Sequence, residues 1–489
     1  MTLIARDESA VAGDGQAIAA LHEAFDRQRR AFLADPYPSI DERRGHLEAV
    51  AGMVMANRDR IREAMSSDFA VHPELFTDLI ECLGIAGRAA YAIGKLEEWM
   101  ADDQRETDPA LMGSARAFVR YQPKGVVGNI VPWNFPFDLG VGPLVEMLAA
   151  GNRVIIKSSD FTPACGEVLR DMVAEAFDPD RVTVAVGGLE LAKTFPTLPW
   201  DHLLYTGSPA IGRVVMQAAA ENLTPVTLEL GGKCPAILTE DAVNLKSVAN
   251  ILGTKMIKNG QMCISVDYVL APRERIGELV DLAKQYVREQ TPDYSSSGDC
   301  TGIITERHLD RLLALREQAV DAGYEVVDLE EGGELNRETR QMPLSVIVDP
   351  GDELGVMQEE IFGPLLPIKP YDTLDEAIAF VNAGERPLGL YVFGDDEAET
   401  ERVLNSTTSG GASVNSCAMQ GALPSLGFGG VGNSGIGRHH GIEGFREFSN
   451  PRGVVVRGEN DLIDAFYPPY GDALQAITSA AFGQAPGSV

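Results

Sequence analysis

The chain has 489 residues, 45% hydrophobic and 23% charged, enough for roughly three compact units at ~150 residues each, which excludes a small disulfide- or zinc-stapled module. With 41 Lys and Arg against 72 Asp and Glu the formal net charge is −31; such a surface is repelled by phosphate backbones and anionic lipid, which counts against nucleic acid and membranes as main partners. No stretch approaches the ~20 apolar residues that span a bilayer, and Arg6, Asp7 and Glu8 fall where a signal peptide needs its apolar region, so a cytosolic, soluble protein is expected.

Residues 1–15 read as a loose tail. From Ile18 to about Met100 apolar residues recur at gaps of three and four, as in Leu47, Val50, Met53 and Val54, and three helices are expected. ARAFVRYQPKG, from Ala115, alternates like an exposed strand, and GVVGNIV (125–131) is a short buried strand. A helix over 141–151, a strand at RVIIK (153–157), a helix over 162–177 with Thr162 as N-cap, and strands RVTVAVGG (181–188) and HLLYTG (202–207) follow. Strand and helix alternating at this spacing predict right-handed βαβ units in a doubly wound parallel sheet. A second α/β series runs from about Pro235 to LGLYVFG (388–394), and RGVVVRG (452–458) is a late strand.

Several segments carry candidate chemistry. GFGGVG (427–432) fits G-x-G-x-x-G literally, but no buried strand precedes it and no amphipathic helix follows, so it reads as a structural glycine loop. LLYTGSPAIG, by contrast, runs from a strand into a helix, with Gly207, Ser208 and Gly212 at the turn; it suits either a phosphate site or an ordinary strand-to-helix connection. Lys157 ends another strand and is either a ligand contact or a solvated amine. In TLELGGK (227–233), Glu229 lies between apolar residues before a glycine turn; apolar surroundings would raise its pKa toward that of a general base, the alternative being a salt-bridged strand end. Cys263 in KNGQMCIS follows a turn at Asn259-Gly260, where a thiol is either exposed and reactive or buried and inert. None of the other five cysteines forms a C-x-x-C pair or a zinc spacing with histidine, and the adjacent His439 and His440 do not make a metal site. Asn134 in VPWNFPFD is either a rigid oxyanion donor or a turn cap, and Glu359-Glu360 precede Phe362-Gly363-Pro364.

Taken in order, the PWN asparagine, the strand-end lysine, TGS, ELGGK, GQxC, EEIFGP and the late glycine segment resemble the aldehyde dehydrogenase superfamily from about residue 16 to 458. VAVGG, CISVDY and GGVGNSGIGRHHGIEGFREFS look most like its class 3 branch, and LPWDHLLYTGSPAIGR and ENLTPVTLELGGKCPAI are similar to bacterial members that oxidise coniferaldehyde. The resemblance implies a doubly wound α/β dinucleotide-binding domain (16–107 and 123–228), a second α/β catalytic domain (229–435), a β oligomerisation arm (108–122 and 444–458) and tails at 1–15 and 459–489. It implies oxidation of an aldehyde by NAD(P), with an aromatic aldehyde such as coniferaldehyde expected ahead of medium-chain aliphatic or broad-range substrates. Cys263 would be the nucleophile, Asn134 and the Cys263 N–H the oxyanion donors, and Glu229 the base. Lys157 and Glu360 would grip the two riboses, Asp160 would lie near the adenosine ribose, Phe362 by the nicotinamide, and Gly187, Gly207, Ser208 and Gly212 along the dinucleotide. Asp160 stands where relatives commonly have Glu; an acid there favours NAD, while its shorter reach leaves NADP open. Lys258 replaces a usual Asn and, with Met262, is expected to affect the substrate mouth. A homodimer is implied through the arms. A CoA-acylating relative and a non-catalytic protein on this fold are the rivals, the second disfavoured by the full set of Asn134, Glu229 and Cys263.

Overall fold

The computed structural model describes residues 8–483. Among these, no helix is long and apolar enough to cross a membrane. The N-terminal helical region holds Glu8–Ala34, Ile40–Ala56, Arg58–Phe69 and Ile85–Met100, more breaks than the three expected helices contain. One break falls at Asn57, whose side-chain amide donates to Met53 O at 2.9 Å and so ends one helix as the next begins. Another is a π-helix, Asp78–Gly84.

Both segments expected as tails carry structure. Residues 8–15 already belong to the first helix, anchored where the Asp14 carboxylate accepts from Gly188 N (2.6 Å) and Glu190 N (3.0 Å). At the other end, the alanine-rich Asp472–Phe482 is helical. Residues 1–7 and 484–489 of those expected tails lie outside the described residues.

A six-stranded sheet runs in the order Gly435–Ile436, Val226–Leu230, His202–Gly207, Val126–Ile130, Arg153–Lys157, Val182–Ala185. Its pairs are parallel except the first, in which Gly435 sits opposite Glu229. Its order places Val126–Ile130 beside His202–Gly207, from which the chain winds in opposite directions, and a crevice opens at the carboxyl ends of such a pair. The Asn134 turn and Gly207-Ser208 leave those two strands. The helix Pro163–Ala176 begins where predicted, but the Thr162 hydroxyl makes no cap; Asp68 reaches across to accept from Ala164 N and Cys165 N at 3.2 and 2.9 Å.

A second sheet has seven strands in the order Glu325–Asp328, Ser345–Val348, Leu365–Tyr371, Tyr268–Pro272, Pro235–Leu238, Gly389–Phe393, Gly411–Val414, with only the first pair antiparallel. The largest apolar core takes side chains from both sheets, among them Val127, Val154, Ala236 and Val269. A third, antiparallel sheet joins Asp103–Arg105, Arg116–Pro123 and Ser449–Val456.

Candidate active site

A cavity of about 1100 Å³ lies between the two larger sheets and is lined by Asn134, Gly207, Ser208, Glu229, Cys263, Glu360 and Phe362. Seven of the eleven residues singled out in the sequence therefore meet in one space. Lys157, Asp160, Gly187 and Gly212 do not line it.

Cys263 is delivered by a reversal of the chain. After the helix Leu245–Met256, Lys258 and Asn259 adopt φ of +49° and +53° and Gly260 +80°. Left-handed geometry costs a non-glycine residue about 1–2 kcal/mol, so it persists only where surroundings impose it. They do so here: Asn259 Nδ2 donates to Met342 O (3.1 Å), and Gln261 Nε2 donates to Lys258 O (2.9 Å) and Gly302 O (3.1 Å). Gly260 is obligatory, since a Cβ would stand 2.3 Å from Gly363 O. Burial pushes the Cys263 thiol far up, and the Glu360 and Glu229 carboxylates raise it further. These surroundings favour the thiol over the thiolate, so any attack by this sulfur would need a base.

Glu229 has the surroundings of one. It is 2% exposed, and among the described residues neither carboxylate oxygen has a hydrogen-bond partner. In the sheet it lies between Thr206 and Gly435, and the Thr206 hydroxyl is likewise unpartnered. Burial raises the Glu229 pKa well above 4.5, against the pull of Arg438. The glycine loop is what covers it: Leu230 N donates to Ser434 O at 3.0 Å, and a Cβ on Gly435 would press on Leu228 O at 2.4 Å.

Asn134 is 4% exposed and turns its amide toward the cysteine loop, Nδ2 donating to Gln261 O at 3.3 Å. Its turn is also held by Lys258, whose ammonium donates to Asn134 O. Lys258 is thus fully buried behind the wall, and does not reach the cavity mouth where it was expected; Met262 does line the cavity.

The Glu359–Phe362 segment is fixed from behind. Lys233 pairs with Asp267 and donates to Val356 O (2.7 Å) and Glu359 O (3.1 Å), while Ile361 N donates to Asp267 (3.0 Å). Glu359 faces solvent, but Glu360 turns in against Gly231, where a Cβ would stand 2.0 Å from its carboxylate. Burial, with Asp267, pushes the Glu360 carboxyl up to about 8. Phe362 has φ +52° and packs edge-on to Trp133, ring centroids 5.3 Å apart.

Around the strand ends, Ser208 caps the helix Pro209–Ala220. Gly212 is a packing glycine, with Leu230 2.7 Å from where its Cβ would be. Gly187 abuts Asp14, which already satisfies the following helix start. Lys157 is buried with its Nζ 3.7 Å from the exposed Asp160 carboxylate. The fit to a dinucleotide therefore rests on the crevice at Gly207-Ser208, the orphan Thr206 hydroxyl and the inward Glu360. Among the described residues no cluster of His, Cys, Asp or Glu is arranged to hold a metal ion.

The description "Aldehyde dehydrogenase family" matches residues 10–454. The chain belongs to the aldehyde dehydrogenase family. It is 42% identical over 463 residues, 94% of this chain and 96% of the other, to the "Probable coniferyl aldehyde dehydrogenase" of Caulobacter vibrioides. Its fold is similar to Staphylococcus aureus AldH in a substrate-bound state, with TM-score 0.88, 32% identity, and coverage of 95% and 99% of the two chains. It is also similar to a Mycobacterium tuberculosis aldehyde dehydrogenase complexed with NAD+, with TM-score 0.80, 29% identity and 90% coverage of each chain. This aldehyde dehydrogenase is an NAD(P)-dependent oxidoreductase of aldehydes.

Some residues of this aldehyde dehydrogenase's cavity were given no role at the site from the sequence. Arg88, Asp138, His439 and His440 all line it. Asp138 stands in the same VPWNFPFD motif as Asn134, so its neighbourhood was visible in the sequence; Arg88 sits on a helix whose face is defined only by packing.

Proposed function

We propose that the chain oxidises an aromatic aldehyde of the coniferaldehyde class to its carboxylic acid through a thioester on Cys263. The observation that carries this is the union, in one cavity, of a thiol on an imposed left-handed loop, an amide aimed at that loop, and a buried carboxylate without partners. Glu229 takes the thiol proton, and the Cys263 sulfur attacks the aldehyde carbon. The resulting oxyanion is met by Asn134 Nδ2 and the Cys263 N–H. NAD(P), when bound, would accept the hydride; Gly207, Ser208, Glu360 and Phe362 would hold it along the cavity and Lys157 and Asp160 at the neighbouring strand end, with Gly187 and Gly212 shaping the turns around it. Glu229 releases the thiol proton to solvent, then accepts a proton from the water that attacks the thioester, and Cys263 departs with the C–S bonding pair.

The aromatic substrate is supported by the 42% relative's name and by rings in the cavity lining, Phe76, Trp133, Phe135 and Phe428. NAD is proposed over NADP because Asp160 would repel a 2′-phosphate. This reading takes 16–107 with 123–228 as the cofactor-binding unit, 229–435 as the catalytic unit, and residues 108–122 and 444–458 as arms of a homodimer, whose strand leaves Val455 and Val456 exposed. A cytoplasmic location suits six free cysteines. NADH formation measured with coniferaldehyde, benzaldehyde and medium-chain aliphatic aldehydes, each with NAD and NADP, tests it: the highest kcat/KM is expected for coniferaldehyde with NAD, and a preference for the aliphatic series overturns the substrate assignment.

A further inference from the structure

Lys258 and Glu81 form an ion pair closed to water. Both side chains are fully buried, and Nζ lies 3.6 Å from Glu81 Oε1. The ammonium also donates to Asn134 O and lies 4.6 and 4.4 Å from the ring centres of Phe69 and Phe135. From the other end, Glu81 Oε2 accepts from Phe137 N at 3.2 Å and Asp138 N at 2.6 Å. The turn that carries Asn134 is therefore gripped at its carbonyl by one ion and at two amides by the other. Lys258 itself belongs to the left-handed loop that delivers Cys263, so the pair spans the two segments whose separation sets the oxyanion site. Glu81 reaches inward because it sits on the π-helix Asp78–Gly84, which sends Leu79 and Leu83 into the cavity lining; such bulges gather at functional sites.

We propose that Lys258 and Glu81 are positioning residues that fix the Asn134 amide against the Cys263 loop, so that the oxyanion meets its donor without rearrangement. This rests on the reading of Asn134 as an oxyanion donor. A buried ion pair is weak as a source of stability, since neutral groups of similar volume often replace it without loss. Misplacement of a reacting group by about 1 Å, in contrast, costs ~100-fold in rate. Geometry, more than stability, is what this pair supplies.

The experiment combines Glu81→Gln with Lys258→Met, which keeps the volume and leaves an amide oxygen to accept from Phe137 and Asp138. Aldehyde-dependent NADH formation is measured in the wild-type and in an Asn134→Ala background, with thermal melting as the check of folding. The paired substitution is expected to keep the melting temperature and the KM for NAD(P), and to lower kcat ~10–100-fold. In the Asn134→Ala background the same pair is expected to cost under ~3-fold, because residues acting through one group are not additive. Lys258→Arg, which keeps the charge and moves it, is the second variant: an intermediate rate loss, again only with Asn134 present. An equal loss in both backgrounds, or no loss in the wild-type background, overturns the inference. Full activity of Asn134→Ala alone overturns the oxyanion reading, a distinct result.

Discussion

Glu81 and Glu229 are both buried carboxylates at the same cavity, one behind its wall and one in its lining. Glu81 accepts two backbone N–H bonds and faces an ammonium; Glu229 has neither a hydrogen bond nor an ion pair among the described residues. A buried acid surrounded by donors is part of the scaffold, because removing it strands every one of them. A buried acid with no donors is stabilised by nothing when charged, so its proton is what the surroundings control, and a group whose proton is under such control is suited to moving one. On the reading proposed above, one cavity keeps one carboxylate for holding atoms in place and another for chemistry.

The first way to break this contrast is to remove the proposed nucleophile, on which the whole site depends. Cys263→Ala is expected to abolish aldehyde oxidation, ~10⁴-fold or more, while NAD still binds by titration calorimetry; retained turnover sinks the whole site.

Next in size, Glu229→Gln is expected to lower steady-state kcat ~10²–10⁴-fold through slow deacylation. Its stability should behave oppositely. The folded state holds the Glu229 proton more tightly than the unfolded chain does, so this group's contribution falls as pH rises above the ordinary value of 4.5 and levels off beyond the raised folded value. Glutamine has no such slope, and thermal melts from pH 5 to 8 should show the variant gaining on the wild type as pH rises. A variant that holds level with the wild type or loses ground to it as pH rises would mean that Glu229 is partnered after all.

Glu81→Ala should reverse that pattern, losing about 3–5 kcal/mol in denaturant unfolding because Lys258 and two amides are left unpaired in the interior. Gly260→Ala is expected to cost about 1–3 kcal/mol from backbone strain alone and to reduce activity by displacing Cys263, since Gly363 O blocks the new methyl. The smallest effect is expected of Asp160→Asn, a few-fold rise in KM for NAD with a fall for NADP, because Asp160 is exposed and its pairing with Lys157 is solvent-screened.

Buried parallel strands were the most legible part of the chain. Arg153–Lys157 and His202–Gly207 fall on the residues predicted, because a strand covered on both faces must be a short apolar run bounded by turn formers. Cys263 was findable from Gly260, whose φ only glycine adopts freely. Lys258 was not: nothing local tells a lysine that it will be left-handed, fully buried and opposite Glu81, since that position is imposed by residues far along the chain. The same holds for Thr162, whose expected cap is made by Asp68, and for the π-helix at 78–84, which differs from its neighbours by register and not by composition. For Glu229 the local pattern left a base and a salt bridge equally open, and the absence of any partner is a three-dimensional fact.

The two-residue strand Gly435–Ile436 closes the edge of the six-stranded sheet beside Glu229, although it is written some two hundred residues later. During synthesis the strands through Val226–Leu230 emerge first and form a unit able to assemble early. Until Gly435 arrives, the sheet edge beside Glu229 has no partner strand. The surroundings that raise the Glu229 pKa are therefore completed by a segment written after Cys263 as well as after Glu229, so this pocket cannot be finished until nearly the whole chain is made.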